Sequence, residues 1–148
     1  MQTSDSAAST DGGAGSASGP GAASSAERTA RAFRAAVEGG NMSAAIALLA
    51  EDVVFESPIV HRLYQGRDQV APVLMAVGTV FEDFAYTAEF TSPDGHVLRF
   101  RARVDDRDLD GVDILTIDGE GRIVAFAVMV RPYSAATALR LRMAALLS

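Results

Sequence analysis

Two runs of strict alternation dominate the second half of the chain. From His96 to Val104 (HVLRFRARV), Leu98, Phe100, Ala102 and Val104 fall on one face and Arg99, Arg101 and Arg103 on the other. That is the period of a strand with one dry side. From Gly111 to Pro132 (GVDILTIDGEGRIVAFAVMVRP), two apolar runs flank Asp118-Gly119-Glu120-Gly121, and both glycines can take the positive φ of a tight reversal. The stretch predicts a β-hairpin. Inside it Asp113 alternates with Leu115 and Ile117, so an acid shares a strand face with aliphatic side chains.

The first half reads mainly as helices. From Glu27, Ala30, Phe33 and Val37 recur at helical spacing while Arg28, Arg31 and Arg34 take the wet side, and Gly39-Gly40 stop the run. Asn41 is an N-cap for a second helix, MSAAIALLA, with Ala45, Ile46 and Leu49 on one face. Val53 to Ser57 alternate as a strand that Pro58 ends. The loop from Ile59 to Gln65 carries His61, Arg62 and Tyr64. Gly66 and Asp68 then open a third helix striped by Val70, Val73, Leu74 and Val77, with Pro72 tolerated near its start. A strand through Phe84, Tyr86, Ala88 and Phe90 turns at Ser92-Pro93-Asp94-Gly95, and Ser134 caps a last helix, AATALRLRMAALL. The predicted order is helix, helix, strand, helix, four antiparallel strands, helix: an α+β fold with a strongly curved sheet wrapped around helices.

Composition narrows the chemistry. At 148 residues and 49% hydrophobic, one domain can close its own core. There is no cysteine, which excludes disulfides, thiolate metal clusters and cysteine nucleophiles and fits a reducing, cytoplasmic setting. All 13 basic residues are arginine, so Schiff-base chemistry on lysine is excluded as well. A net charge of -6 argues against a nucleic-acid surface. Residues 1–26 are Ser, Ala, Gly, Thr and Asp with no aromatic or branched aliphatic side chain, too polar to offset the ordering entropy, and are expected to be disordered. They lack the basic start and apolar run of a secretion signal, and no later stretch is long and apolar enough for a membrane span. Asp106, Asp108, Asp110 and Gly111 spell half of a calcium loop, but the closing glutamate position holds Ile117. The expectation is a polar turn whose carboxylates pair with Arg107 or neighbouring arginines, with no metal and no cofactor.

The succession FRAAVEGGN, LLAEDVVFESPIV, QGRDQV and DILTIDGEGRIVAFAVMVRP resembles the nuclear transport factor 2-like superfamily, in its SnoaL-like and ketosteroid isomerase-like branches, over residues 27–148. The resemblance implies a cone of curved antiparallel sheet closed by helices, the cystatin-like α+β roll, and a dimer formed through the outer face of the sheet. It also allows the catalytic positions to be compared. The ketosteroid isomerase base, an aspartate before the proline of the first strand, is Ser57 here; the oxyanion-holding tyrosine of the first helix is Phe33; the protonated aspartate before the hairpin is Asp113. The acid of SnoaL-type cyclases and limonene epoxide hydrolases falls on Val128. The same registers point Phe126, Val128 and Val130, with Phe55, Phe100 and Leu115, into a cavity in which Asp113 and Ser57 are isolated polar points. Such a lining suits an apolar small molecule.

Asp113 is the leading candidate. Against an apolar wall its pKa should rise, and the neutral acid could donate a hydrogen bond to a ligand carbonyl, as the resemblance to ketosteroid isomerases implies. The alternative is a structural aspartate bonded to a backbone amide, an arginine or a buried water. His61, helped by Tyr64, could serve as acid or base at the cavity mouth, or be a solvated loop residue. His96, after a turn glycine, is expected at the surface. The stripe of Arg99, Arg101 and Arg103 is expected to pair with acids such as Glu89. Val112, Ile114, Ile123, Ala125, Ala127 and Met129 face outward and need cover from the terminal helix or a second subunit in a two-fold dimer. The functional expectation is a small-molecule-binding domain. The alternatives are a cofactor-independent isomerase, cyclase or hydrolase acting on an apolar carbonyl or polycyclic substrate, or a non-catalytic dimeric interaction domain.

Overall fold

The alternating second half builds most of one six-stranded sheet. A computed structural model describes residues 24–148. Strands β3 (Glu82–Ser92), β4 (Gly95–Val104), β5 (Arg107–Ile117) and β6 (Ile123–Arg131) form an antiparallel meander. Strand β1 (Leu49–Glu56) adds to β6 in parallel, and the three-residue edge strand β2 (Leu63–Gln65) pairs with β1 antiparallel. Helices α1 (Ser25–Glu38), α2 (Met42–Ala47), α3 (Arg67–Val80) and α4 (Tyr133–Leu147) pack on the inner face of the curved sheet. The α+β roll is therefore present, with one parallel pair in an otherwise antiparallel sheet.

The core follows the strand pattern. Leu98, Phe100, Ala102 and Val104 are buried while Arg99, Arg101 and Arg103 are exposed. Phe33 from α1, Leu49, Val53 and Phe55 from β1, Leu74 from α3 and Leu139 from α4 meet them. No helix among the described residues is long and apolar enough to cross a membrane.

Several local expectations are corrected. Helix α1 starts at Ser25, because the Ser24 side chain accepts the Glu27 amide as an N-cap; the rest of the expected tail, residues 1–23, lies outside the described residues. Helix α2 stops at Ala47, because Leu49 and Ala50 leave its apolar face to begin β1 beside Ile123. Helix α4 begins at Tyr133, with the Pro132 carbonyl accepting from Ala135 and Ala136, so Ser134 is inside the first turn and not the cap. Strand β5 begins at Arg107, which makes Asp108 and Asp110 strand residues; Asp110 faces Arg131 at 3.3 Å and Asp106 lies 3.9 Å from Arg107. In the β5–β6 turn, Asp118 Oδ1 accepts from the Glu120 and Arg122 amides, and only Gly121 takes a positive φ, 82°.

Two registers also differ from simple alternation. Ile123 pairs with Ile117 but Ala125 pairs with Thr116, so Val124 is an extra residue and Ile123 turns into the core instead of outward. On β3, Glu89 lies opposite Leu98 and binds Arg34 of α1 at 3.5 Å, not the arginine stripe. Arg103 instead pairs with Asp83 at 2.7 Å and Glu82 at 3.8 Å.

Candidate functional site

The β4–β5–β6 registers place Asp113 between Leu98 and Val128, its side chain on the inner, apolar face of the sheet. One strand further out, Tyr86 of β3 lies opposite Phe100 and points the same way. The two side chains meet: the Tyr86 hydroxyl donates to Asp113 Oδ2 at 2.7 Å, with both residues 6% exposed. Burial pushes the Asp113 carboxyl up to about 7, although the hydrogen bond from Tyr86 pulls the other way. Burial and the neighbouring Asp113 charge also raise the Tyr86 phenol above its ordinary value, which keeps it a donor. Phe84 and Phe100 pack edge-on against the Tyr86 ring, at 4.9 and 6.4 Å.

The pair borders a hollow of about 290 Å³ between the sheet, α1, the α1–α2 corner and α3. Its walls are mainly aromatic and aliphatic, with Phe33 and Phe126 edge to face at 5.5 Å beside Phe84, Leu74, Val77 and Phe81, and Asn41, Ser43 and Thr79 add uncharged polar groups on the helix side. Among the described residues, Asp113 and Tyr86 are the only titratable groups in the lining. A second hollow, of about 370 Å³, lies against the same Leu74, Val77 and Phe81 and is closed by α4 through Leu139 and Met143. Phe55, Ser57, Tyr64 and Val128 line this second space.

The residues expected to share one cavity are thus distributed. Phe33, Phe126 and Asp113 border the first hollow; Phe55, Ser57, Tyr64 and Val128 border the second. Phe100 and Leu115 are packed in the core and line neither, because rings from Phe81, Phe84 and Tyr86 surround Phe100. Val130 packs against the core and lines neither hollow, bordering instead a surface depression beside Gly111 with Arg99, Val112 and Met129. Asp113, His61 and Tyr64 do not assemble. Ser57 Oγ accepts the Ile59 and Val60 amides, and beyond that turn His61 is exposed and lines neither hollow. Tyr64 packs on Phe55 with ring centroids 6.0 Å apart. His96 is buried, not at the surface: β4 starts at Gly95, so His96 lies opposite Thr91 and Leu115, with Thr91 Oγ1 3.3 Å from its Nδ1.

Tyr86 is the functional candidate that sequence reasoning missed. Its parity with Phe84, Ala88 and Phe90 marked it as one residue of a strand, with nothing to single out its hydroxyl. The signal was in the pairing: Tyr86 lies opposite Phe100 and Asp113 opposite Leu98, so the two share one face with β4 between them, two residues apart in register, a gap that the long tyrosine side chain spans.

The profile of the SnoaL-like domain matches residues 30–126. Among solved structures, a protein described as a steroid delta-isomerase from Pseudomonas aeruginosa is 40% identical and superposes with a TM-score of 0.79, covering 83% of this chain and 91% of its own. A protein with a cystatin-like fold from Silicibacter pomeroyi is 39% identical with a TM-score of 0.75, over 79% of this chain and 83% of its own. An NTF2-like protein from Mesorhizobium loti, 22% identical, shares the fold at a TM-score of 0.65 over 73% of this chain and 92% of its own. No curated protein matches the chain.

Proposed function

Because the chain belongs to the SnoaL-like domain family, we propose that it binds an apolar, carbonyl-bearing small molecule in the hollow bordered by Phe33, Phe84 and Phe126, with Asp113 as the anchoring polar group. The observation that carries this reading is the Tyr86–Asp113 hydrogen bond of 2.7 Å on the sheet side of the hollow, where Phe84 and Phe126 are the other lining residues. With a pKa near 7, the carboxyl is largely protonated at mildly acidic pH. Tyr86 occupies Oδ2, which leaves Oδ1 and the acid proton for a ligand oxygen. A buried donor aimed into an apolar pocket favours a carbonyl or hydroxyl over a hydrocarbon edge.

A second reading is isomerisation, favoured by the 40% identity to the protein described as a steroid delta-isomerase. A carboxyl titrating near neutrality can take a proton from the carbon beside a carbonyl and return it elsewhere on the same ligand. Yet Asp113 is the one carboxyl in the lining and cannot both donate to the oxygen and act as base, so binding is the primary reading. His61 and Tyr64 are not among the residues that line this hollow.

A 3-oxo-Δ4 steroid serves as binding probe and its Δ5 isomer as turnover probe. Asp113→Leu should weaken binding of the Δ4 compound about tenfold, the loss of one buried hydrogen bond. Asp113→Asn keeps a donor and should stay within about threefold of the wild type. Equal affinity in the wild type and Asp113→Leu would remove the assignment. Growth of conjugated-enone absorbance from the Δ5 isomer, abolished by Asp113→Asn, would replace binding by isomerisation.

A second copy of the chain is the proposed partner. The outer surface of β5 and β6 carries half-buried Val112, Ile114, Ala125 and Ala127 and an exposed Met129, and α4 packs on the opposite side of the sheet with Leu139 against the core. The reading of a dimeric, non-catalytic interaction domain rests on that same surface. The lack of cysteine supports a cytoplasmic setting.

A further inference from the structure

We infer that the second hollow, between α3, α4 and β1, is a separate site for an amphipathic monoanion: an unbranched aliphatic chain ending in a carboxylate. Three observations converge on this class. The interior is aliphatic and aromatic, with Phe55, Val73, Val128, Leu139 and Met143 on facing walls and a volume of about 370 Å³. No Asp or Glu side chain among the described residues lines it, and the end of α4 with Ser148 forms part of its rim. Its rim holds a guanidinium, that of Arg140, which is exposed and has no ion-pair or hydrogen-bond partner among the described residues. Arg142, two residues further along α4, is by contrast engaged with Asp105 at 3.2 Å.

The rim adds further polar complementarity. Ser57 Oγ accepts two backbone amides, which orients the hydroxyl and leaves its proton free for an acceptor. Arg62 lies 4.7 Å from the centroid of the Tyr64 ring, so a second positive charge stands beside a lining residue of the same space. An apolar chamber with a cation at its edge suits a chain whose methylenes are buried and whose charged head stays at the rim. The site is also distinct from the Asp113 hollow. Leu74, Val77 and Phe81 face both spaces, and neither Asp113 nor Tyr86 lines the second.

Isothermal titration of the full chain with decanoate and with decanol tests the assignment. Decanoate should bind at least about threefold more tightly than decanol, and Arg140→Gln should remove that preference, the scale of a partly exposed charge contact. Ala144→Trp, a substitution at an exposed lining residue of α4, should fill the chamber and abolish binding of both probes without unfolding the protein. Asp113→Asn should leave decanoate affinity unchanged, which separates this site from the one proposed above. Equal affinity for the two probes, decanoate binding that survives Ala144→Trp, or decanoate binding lost in Asp113→Asn would each overturn the inference.

Discussion

Asp113 is held between two opposing influences. Burial favours the neutral acid, and the Tyr86 hydroxyl favours the carboxylate; burial is the larger, and the pKa rises from 3.8 to about 7. The consequence for stability has a definite sign. The folded protein keeps a proton that the unfolded chain releases near pH 4, so the stabilising contribution is full below that pH and is lost as pH rises towards and through 7. The size of the change is of order 4 kcal/mol, from the spacing of the two pKa values. Asp113→Asn cannot titrate. Urea unfolding at pH 4.5 and pH 8 should show the variant gaining on the wild type by a few kcal/mol at the higher pH; parallel behaviour would refute the buried acid. Tyr86→Phe removes the donor to Oδ2. It should raise the Asp113 pKa further, read by carbon NMR of the carboxyl, and cost about 1–3 kcal/mol of stability above that pKa.

At the scale of elements, close packing between neighbouring strands fixes how the Asp113 face is presented. Gly111 pairs with Phe100 on one side and Val130 on the other. A β-carbon there would meet the Phe100 ring and come within 2.7 Å of the Met129 carbonyl oxygen. Gly111→Ala should therefore destabilise by about 1–3 kcal/mol, an overpacking cost with a backbone atom as the obstacle. Gly119→Ala is the control, because a β-carbon at that position meets nothing within 4 Å and φ is not positive; it should change stability by less than about 0.5 kcal/mol. Chemical denaturation of both variants checks the pair. The inward turn of Ile123 belongs to this scale too. The extra residue at Val124 reverses strand parity, so alternation counted from the turn put Ile123 outside while Leu49 and the parallel β1 draw it in.

For the whole molecule, the open question of surface is the outer side of β5 and β6. Met129 is 59% exposed there beside half-buried Val112 and Ile114, a contiguous apolar strip that a second copy would cover. Light scattering at micromolar concentration should give twice the chain mass of 15.5 kDa. Ile114→Lys, whose side chain is on the outer face, should yield a monomer with an unchanged circular dichroism spectrum. A monomeric wild type would refute the dimer.

The sequence by itself determined the class of fold, the long strands and the buried face that carries Asp113. Each of those follows from a short-range period: two residues for strands, 3.6 for helices, and turn residues at fixed offsets. It also restricted the chemistry, since the absence of cysteine and lysine is a property of the chain and not of its folding. What only the tertiary structure decided are pairings between residues distant in sequence. The parallel contact of β1 with β6, the meeting of Tyr86 with Asp113 across two strand registers, and the division of the expected cavity by Leu74, Val77 and Phe81 leave no local signature. Such contacts depend on bulges, strand curvature and the depth to which a helix sits in the cone, and a one-residue shift in any of them changes which side chains meet.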